Sequence, residues 1–259
     1  MKNVILFFGS LALMLGIEMP AMAANPDITT GLVLHYDFED DPTITHVVID
    51  RTGNGNNGVV YGDVTRIHQS QVGKGAYKFD GNGDYIQVPA SSLLDTPRFT
   101  VSLWIQSDEL TITVGGARAP LGRHAAGDNT NAFWMFQEFF SPELPSFFNA
   151  QVFGDNPYRR SSVFMEDVSQ LLHKWTLVTL TYDGTLMKFY VDGRFTGLEP
   201  VPGYLGSSLQ YLIGAGEYAD GNATQFWMGT IDDVRVYNRA LSADDVLELQ
   251  THCGKSGCQ

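Results

Sequence analysis

The chain has 259 residues, with 29 acidic against 16 basic side chains and a formal charge of −13. That balance argues against a nucleic-acid partner, because phosphates are held by Lys and Arg clusters that this sequence lacks. It leaves cations and neutral glycans open as partners, and it also fits plain solubility outside the cell.

The first 23 residues read as an export signal. Lys2 supplies a positive start, Val4 to Ile17 is apolar apart from Gly9, Ser10 and Gly16, and Ala21-Met22-Ala23 after Pro20 gives the small-x-small cleavage pattern. An apolar run of about 14 residues falls short of the roughly 20 that span a membrane. The expectation is a signal peptide over 1–23, a secreted or periplasmic location, and one mature domain over 24–259 with no membrane span.

Strands dominate the mature chain. Leu32, Leu34, Tyr36 and Phe38 alternate with Val33, His35, Asp37 and Glu39, the period of a strand with one buried face. The alternation returns in Phe99, Val101, Leu103 and Ile105, in Trp175 to Thr181, and in Leu186 to Val191. Gly53-Asn54-Gly55-Asn56-Asn57-Gly58, Asp80-Gly81-Asn82-Gly83-Asp84, Asp183-Gly184 and Asp192-Gly193 punctuate these runs with residues that accept tight turns. Many short strands so separated mean an all-β sandwich or barrel. Helix signals are few: a turn at Asp167 to Leu172, and a helix opened by Ser242 as N-cap with Asp244 and Asp245 in its first turn.

Between Ile112 and Phe164 the sequence turns aromatic, and amide residues such as Gln137, Asn149 and Gln151 interleave with the rings. In strand register Trp134, Phe136 and Glu138 share one face, and Phe133, Met135 and Gln137 the other. Sugar rings stack on flat apolar faces and hydrogen-bond to amides and carboxylates. We therefore expect Trp134 and Phe136 to line a ligand groove with Tyr158 and Arg159 nearby; core packing is the competing use of these aromatics. Trp104 and Trp175 are assigned to the core.

Catalytic patterns are weak. Glu138 and Glu143 are five apart and separated by Ser141-Pro142, the six histidines are scattered, and there is no Gly-x-Ser-x-Gly elbow or His-x-x-x-His pair. A lyase needs only a base and a charge neutraliser, and His124 beside Arg123 and Arg118 is where one would be sought. The two cysteines, Cys253 and Cys258, close the chain; in an exported protein they are expected to form a local disulfide that pins the tail.

Several motifs together carry a family resemblance. Trp175-Thr-Leu-Val-Thr-Leu-Thr-Tyr-Asp-Gly184 with Met187-Lys-Phe-Tyr-Val-Asp-Gly193, and Gly229-Thr-Ile-Asp-Asp-Val-Arg-Val-Tyr-Asn-Arg-Ala-Leu-Ser242, resemble the central hairpin and last strand of LamG-like jelly-roll domains. Tyr36-Asp-Phe-Glu39, Asp50 to Gly58 and Phe79 to Tyr85 resemble their opening strand and the loops after it. The stretch Ile112–Phe164 departs from the pattern. The resemblance implies a two-sheet antiparallel jelly roll of the concanavalin A-like superfamily. It also implies a structural Ca²⁺ between the first strand, a turn and the last strand, which maps onto Glu39, Asp80 and Asp232. For Asp50, Asp80 and Asp84 the alternative use is turn formation through Asx hydrogen bonds. Family 16 glycosidases on this fold carry Glu-x-Asp-x-x-Glu, which is absent here. The expected function is a non-catalytic carbohydrate- or matrix-binding module with a polysaccharide or glycan partner. A carbohydrate-active enzyme on the same fold, glycosidase or polysaccharide lyase, and a structural or adhesive surface subunit are the alternatives.

Overall fold

The structure is a computed structural model. It describes residues 26–111, 116–125, 128–139, 147–154, 160–165, 167–201, 203–206, 208–219 and 222–253.

In chain order the elements begin with β1 (Leu32–Tyr36), the four-residue helix α1 (Pro42–Thr45), β2 (Val47–Val48), β3 (Gly58–Tyr61), β4 (Thr65–Ile67), β5 (Ala76–Asp80), β6 (Tyr85–Val88) and β7 (Phe99–Ser107). The aromatic stretch supplies β8 (Gly116–Ala125), β9 (Asp128–Phe139), β10 (Phe147–Phe153) and β11 (Arg160–Met165). A 3₁₀ turn at Val168–Leu171 leads to β12 (Thr176–Tyr182), β13 (Leu186–Val191), β14 (Arg194–Pro200), β15 (Tyr211–Ile213), β16 (Glu217–Ala219), β17 (Asn222–Thr224), β18 (Met228–Tyr237) and the helix α2 (Ala243–Cys253).

Two sheets result. The first runs β14-β13-β12-β7-β18-β5-β4, with β1 also paired to β18; the second runs β11-β10-β9-β8-β15-β6-β3-β2, with β16 and β17 attached to β8. The architecture is the expected two-sheet antiparallel sandwich. The stretch that departs from the resemblance is no appendage: β8 to β11 form one flank of the second sheet, reaching its edge.

On β7 the expected set packs inward, whereas on β12 the residues between the expected ones do. Phe99, Val101, Leu103 and Ile105 of β7 and Val178, Leu180 and Tyr182 of β12 meet Phe133, Met135, Phe148, Ala150 and Val152 from the second sheet in one continuous core. Burying each such side chain contributes about 1.5–3 kcal/mol. The first strand departs from strict alternation: a register shift between Leu32 and Leu34 places Val33 in this core, while Leu32 packs with a second cluster.

That second cluster lies under α2. Trp104, Leu177, Tyr190 and Tyr237, from the first sheet, pack with Leu241, Val246 and Leu249, and Trp175 adds a partly buried ring. A reciprocal capping box starts α2: Asp245 N–H donates to Ser242 Oγ at 3.1 Å, and Ser242 N–H donates to Asp245 Oδ2 at 2.9 Å. The outer side of the first sheet is therefore used up in packing where the helix lies.

Candidate functional site

Among the described residues no helix covers the matching side of β9 and β10. Phe133 and Met135 are fully buried in the core, so Trp134 and Phe136 hold the alternate positions of β9. Their side chains, like those of Glu138 and His124, lie outside the described residues. On β10 the alternation is the same: Phe148, Ala150 and Val152 are core residues, which leaves Phe147, Asn149 and Gln151 to the other face, where Asn149 and Gln151 are nonetheless buried. The register pairs Trp134 with Gln151 and Phe136 with Asn149. Each expected aromatic thus has an amide as its direct cross-strand neighbour.

Asn149 is the telling residue of this flank. It is fully buried, and among the described residues neither its Oδ1 nor its Nδ2 has a hydrogen-bond partner. An unpaired buried amide costs about 1–3 kcal/mol, so its retention calls for a use. Across the next register pair stands Phe164 of β11, 49% exposed, in edge-to-face contact with Phe147 at 5.4 Å. Phe164 is invisible to a reading that concentrates on Trp134 and Phe136; alternation with Val163 and Met165, both buried, would have singled it out.

The middle of the outer face is roofed. A Cβ on Gly122 would come within 1.9 Å of the Gly216 carbonyl oxygen, so only glycine lets the segment carrying β16 and β17 cross here. Ala223 of β17 packs with Leu212 and Ala215 in a small cluster joined by Tyr85 and Phe226. Beyond it Tyr61 stacks on Tyr85 at 4.6 Å with 3° between planes, and Tyr61 is 42% exposed. The aromatic surface therefore has two parts, one on each side of the roof.

The three expected calcium ligands do not converge. Asp80 pairs with Met228 on β18, four residues before Asp232, which separates them by about 13 Å along the strand. Asp232 sits at the register shift between Asp232 and Arg235. Its Oδ2 accepts the Gln71 and Val72 N–H groups at 2.9 and 2.8 Å, and its Oδ1 that of Asp233 at 2.8 Å. Burial, with Asp233 alongside and against these donors, pushes its carboxyl up to about 8. Among the described residues Asp232 joins no group of three potential metal ligands. Glu39 clamps the same loop, accepting the Lys74 N–H at 2.6 Å and pairing with Arg66 at 3.0 Å. Asp80 instead stands with Asp63 and Asp84, the carboxylate oxygens of the three lying within 4.8 Å of one another. Asp84 also organises the turns, accepting the Asp63 and Asp80 N–H groups at 2.8 and 3.0 Å. Burial, with Asp80 and Asp63 close by, lifts its carboxyl to about 6. Asp50 is a loop former, accepting from His35, Thr52 and Asn56.

A cleft of about 1050 Å³ opens beside β1, β18 and α2, lined in part by His35, Glu39, Lys74, Asp233 and Arg235. His35 Nε2 meets Asp233 Oδ1 at 2.7 Å, and Arg235 Nε bonds the same carboxylate at 2.9 Å. Burial works against the charge on Asp233, yet Arg235 and His35 hold its carboxyl below the usual range. The one hydroxyl among the lining residues, Thr29, is bonded to Asp27. The place set aside for a lyase site changes character too. Arg123 is buried, donates to the Leu209 and Leu94 carbonyls and lies 4.6 Å over the Tyr211 ring, which makes it a core strut. Tyr158, Arg159, Glu143 and Cys258 lie outside the described residues, and Cys253 ends α2.

Comparison with known proteins agrees with this architecture. The profile of a family described as concanavalin A-like lectin/glucanases superfamily matches residues 80–247. No curated protein sequence matches the chain. Among solved structures it is similar to domain 4 of AbnA, a GH43 extracellular arabinanase from Geobacillus stearothermophilus, in complex with arabinotriose, at TM-score 0.57 and 19% identity over 85% of this chain and 98% of that one. It is also similar to the receptor-binding domain of botulinum neurotoxin C/D mosaic serotype, at TM-score 0.63 and 16% identity over 85% of this chain and 51% of that one. The binding domain of Paraclostridial Mosquitocidal Protein 1 follows at 0.64 and 15%, over 85% and 52%. These likenesses speak for the fold, and with the family match the conclusion is plain: the chain belongs to the concanavalin A-like lectin/glucanase superfamily.

Proposed function

We propose that this chain is an exported, non-catalytic module that binds a polysaccharide on the outer face of β9 and β10. The observation that carries the reading is the register, which sets Trp134 opposite Gln151 and Phe136 opposite Asn149. Rings and amides in alternation are what a sugar chain needs, stacking for its CH faces and donors and acceptors for its hydroxyls. The arabinotriose complex of a similar domain lends support and suggests arabinan as the first polymer to try.

A structural calcium belongs to this reading, bound by Asp80 together with Asp63 and Asp84. Removal of residues 1–23 and a Cys253–Cys258 disulfide complete the exported form, and intact mass before and after alkylation reads both. The functional test is retention of the mature protein on affinity gels containing arabinan, xylan or β-glucan, with product analysis. Retardation without release of reducing sugar or unsaturated product supports the module. Product release would make the protein an enzyme, and no retardation on any gel would leave a structural or adhesive subunit.

A further inference from the structure

Away from the roofed middle of the sheet, a groove of about 780 Å³ runs between β11, β14 and α2. Its size lies within the range of small-molecule sites. Phe164 and Phe195, 49% and 53% exposed, both stand in its lining, and an edge-to-face contact with Tyr190 at 5.8 Å fixes the Phe195 ring. The edges of the two sheets meet here, where Gly197 of β14 lies near Val163 of β11.

The polar lining divides into spent and unspent groups. Asp167 Oδ1 accepts from Ser169, and Asp192 Oδ1 accepts the Leu177 N–H at 2.9 Å, so both carboxylates serve the local backbone. The Arg194 guanidinium and the Gln250 amide have no partner among the described residues. Two exposed rings with a free guanidinium and a free amide between them suit a sugar better than a greasy peptide. Continuity points to the same sugar chain, because Phe164 pairs across the strands with Asn149. The formal charge of −13 disfavours a polyanion and selects a neutral chain.

We propose that this groove is a second subsite for a neutral polysaccharide, so that the module grips the interior of a chain laid from β9 across β11 and down to α2. The inference rests on the functional reading above. Its test is calorimetric titration of the mature protein, Phe195→Ala and Trp134→Ala with arabinan, xylan and β-glucan, each beside its own trisaccharide. Wild type should bind one polymer roughly tenfold more tightly than its trisaccharide, the worth of one additional stacking subsite. Phe195→Ala should bring the polymer down to the trisaccharide's affinity and leave the trisaccharide unchanged, while Trp134→Ala should weaken both. Polymer affinity undiminished in Phe195→Ala, and again in Phe164→Ala, would overturn the groove and leave the β9–β10 face standing. No binding of any polymer by wild type would overturn both. A dimer in sedimentation that Phe195→Ala dissociates would assign the groove to a second copy of the chain and overturn the sugar subsite.

Discussion

The outer sides of the two sheets begin from the same material and end differently. On the first sheet Trp104, Leu177 and Tyr190 alternate with core residues as an amphipathic strand dictates, and α2 closes over them with Val246 and Leu249. On the second sheet the β9–β11 flank shows the same alternation, yet Phe164 stays half exposed and, among the described residues, Asn149 keeps an unpaired amide. An aromatic on an outer strand position is therefore neither core nor ligand platform by itself. What decides is whether a later element, here a helix at the far end of the chain, comes back to cover it.

The sharpest way to break this contrast is a matched pair of truncations. Trp104→Ala should cost about 3–5 kcal/mol, as loss of a large buried ring does, whereas Phe164→Ala should stay within about 1 kcal/mol because its ring already faces water. Urea denaturation of both variants measures the difference. Equal losses would show that the two faces are packed alike and would remove the distinction.

Calcium sharpens the contrast elsewhere, in the turns that carry the chain from one sheet to the other between β3 and β4 and between β5 and β6. If Asp63, Asp80 and Asp84 hold the ion, saturating it at a hundredfold excess over Kd should add about 2.7 kcal/mol, since the unfolded chain has no such site. Chelation should lower Tm by the matching amount, and Asp80→Asn should abolish the response while Asp232→Asn should not. A melt indifferent to EDTA would leave the three carboxylates as turn formers only.

The smallest expected effect is a pH trend with a defined sign. Asp84 and Asp232 are raised to about 6 and about 8 by burial, so the folded state holds protons that the unfolded chain releases near pH 4. Their contribution is fully present below about pH 4 and is lost as pH rises through those values. Asp233, held below the usual range by Arg235 and His35, acts oppositely: its contribution is present above about pH 4 and is lost on acidification. Apo protein should accordingly melt highest near pH 4–5 and decline toward pH 8. A Tm that climbs steadily from pH 5 to 8 would contradict the buried acids.

Much of the fold was legible because period-two alternation survives in the core strands: Phe99, Val101, Leu103 and Ile105 point inward as their spacing requires. Turns were legible for the same local reason, in Gly81 and Gly83 with their left-handed φ angles of 82° and 92°. Legibility ends where a partner strand sets the geometry. The shift between Leu32 and Leu34 that sends Val33 inward arises from pairing with β18. Asp232 resembled a metal ligand because the donors that occupy it, Gln71 and Val72, lie 161 and 160 residues away. The same holds for the site. Trp134 and Phe136 could be nominated from alternation, but their pairing with Gln151 and Asn149 depends on hairpin register, and the exposure of Phe164 depends on where α2 finally lies.

The proposed sugar binding by this face turns on Trp134. The decisive measurement is the affinity of Trp134→Ala for the retained polysaccharide, taken beside its melting curve. A variant that melts like its parent and binds at least tenfold more weakly is the predicted result; one that loses about 3–5 kcal/mol of stability, the signature of a buried Trp, or binds as tightly as wild type would contradict the assignment of this face to a sugar chain.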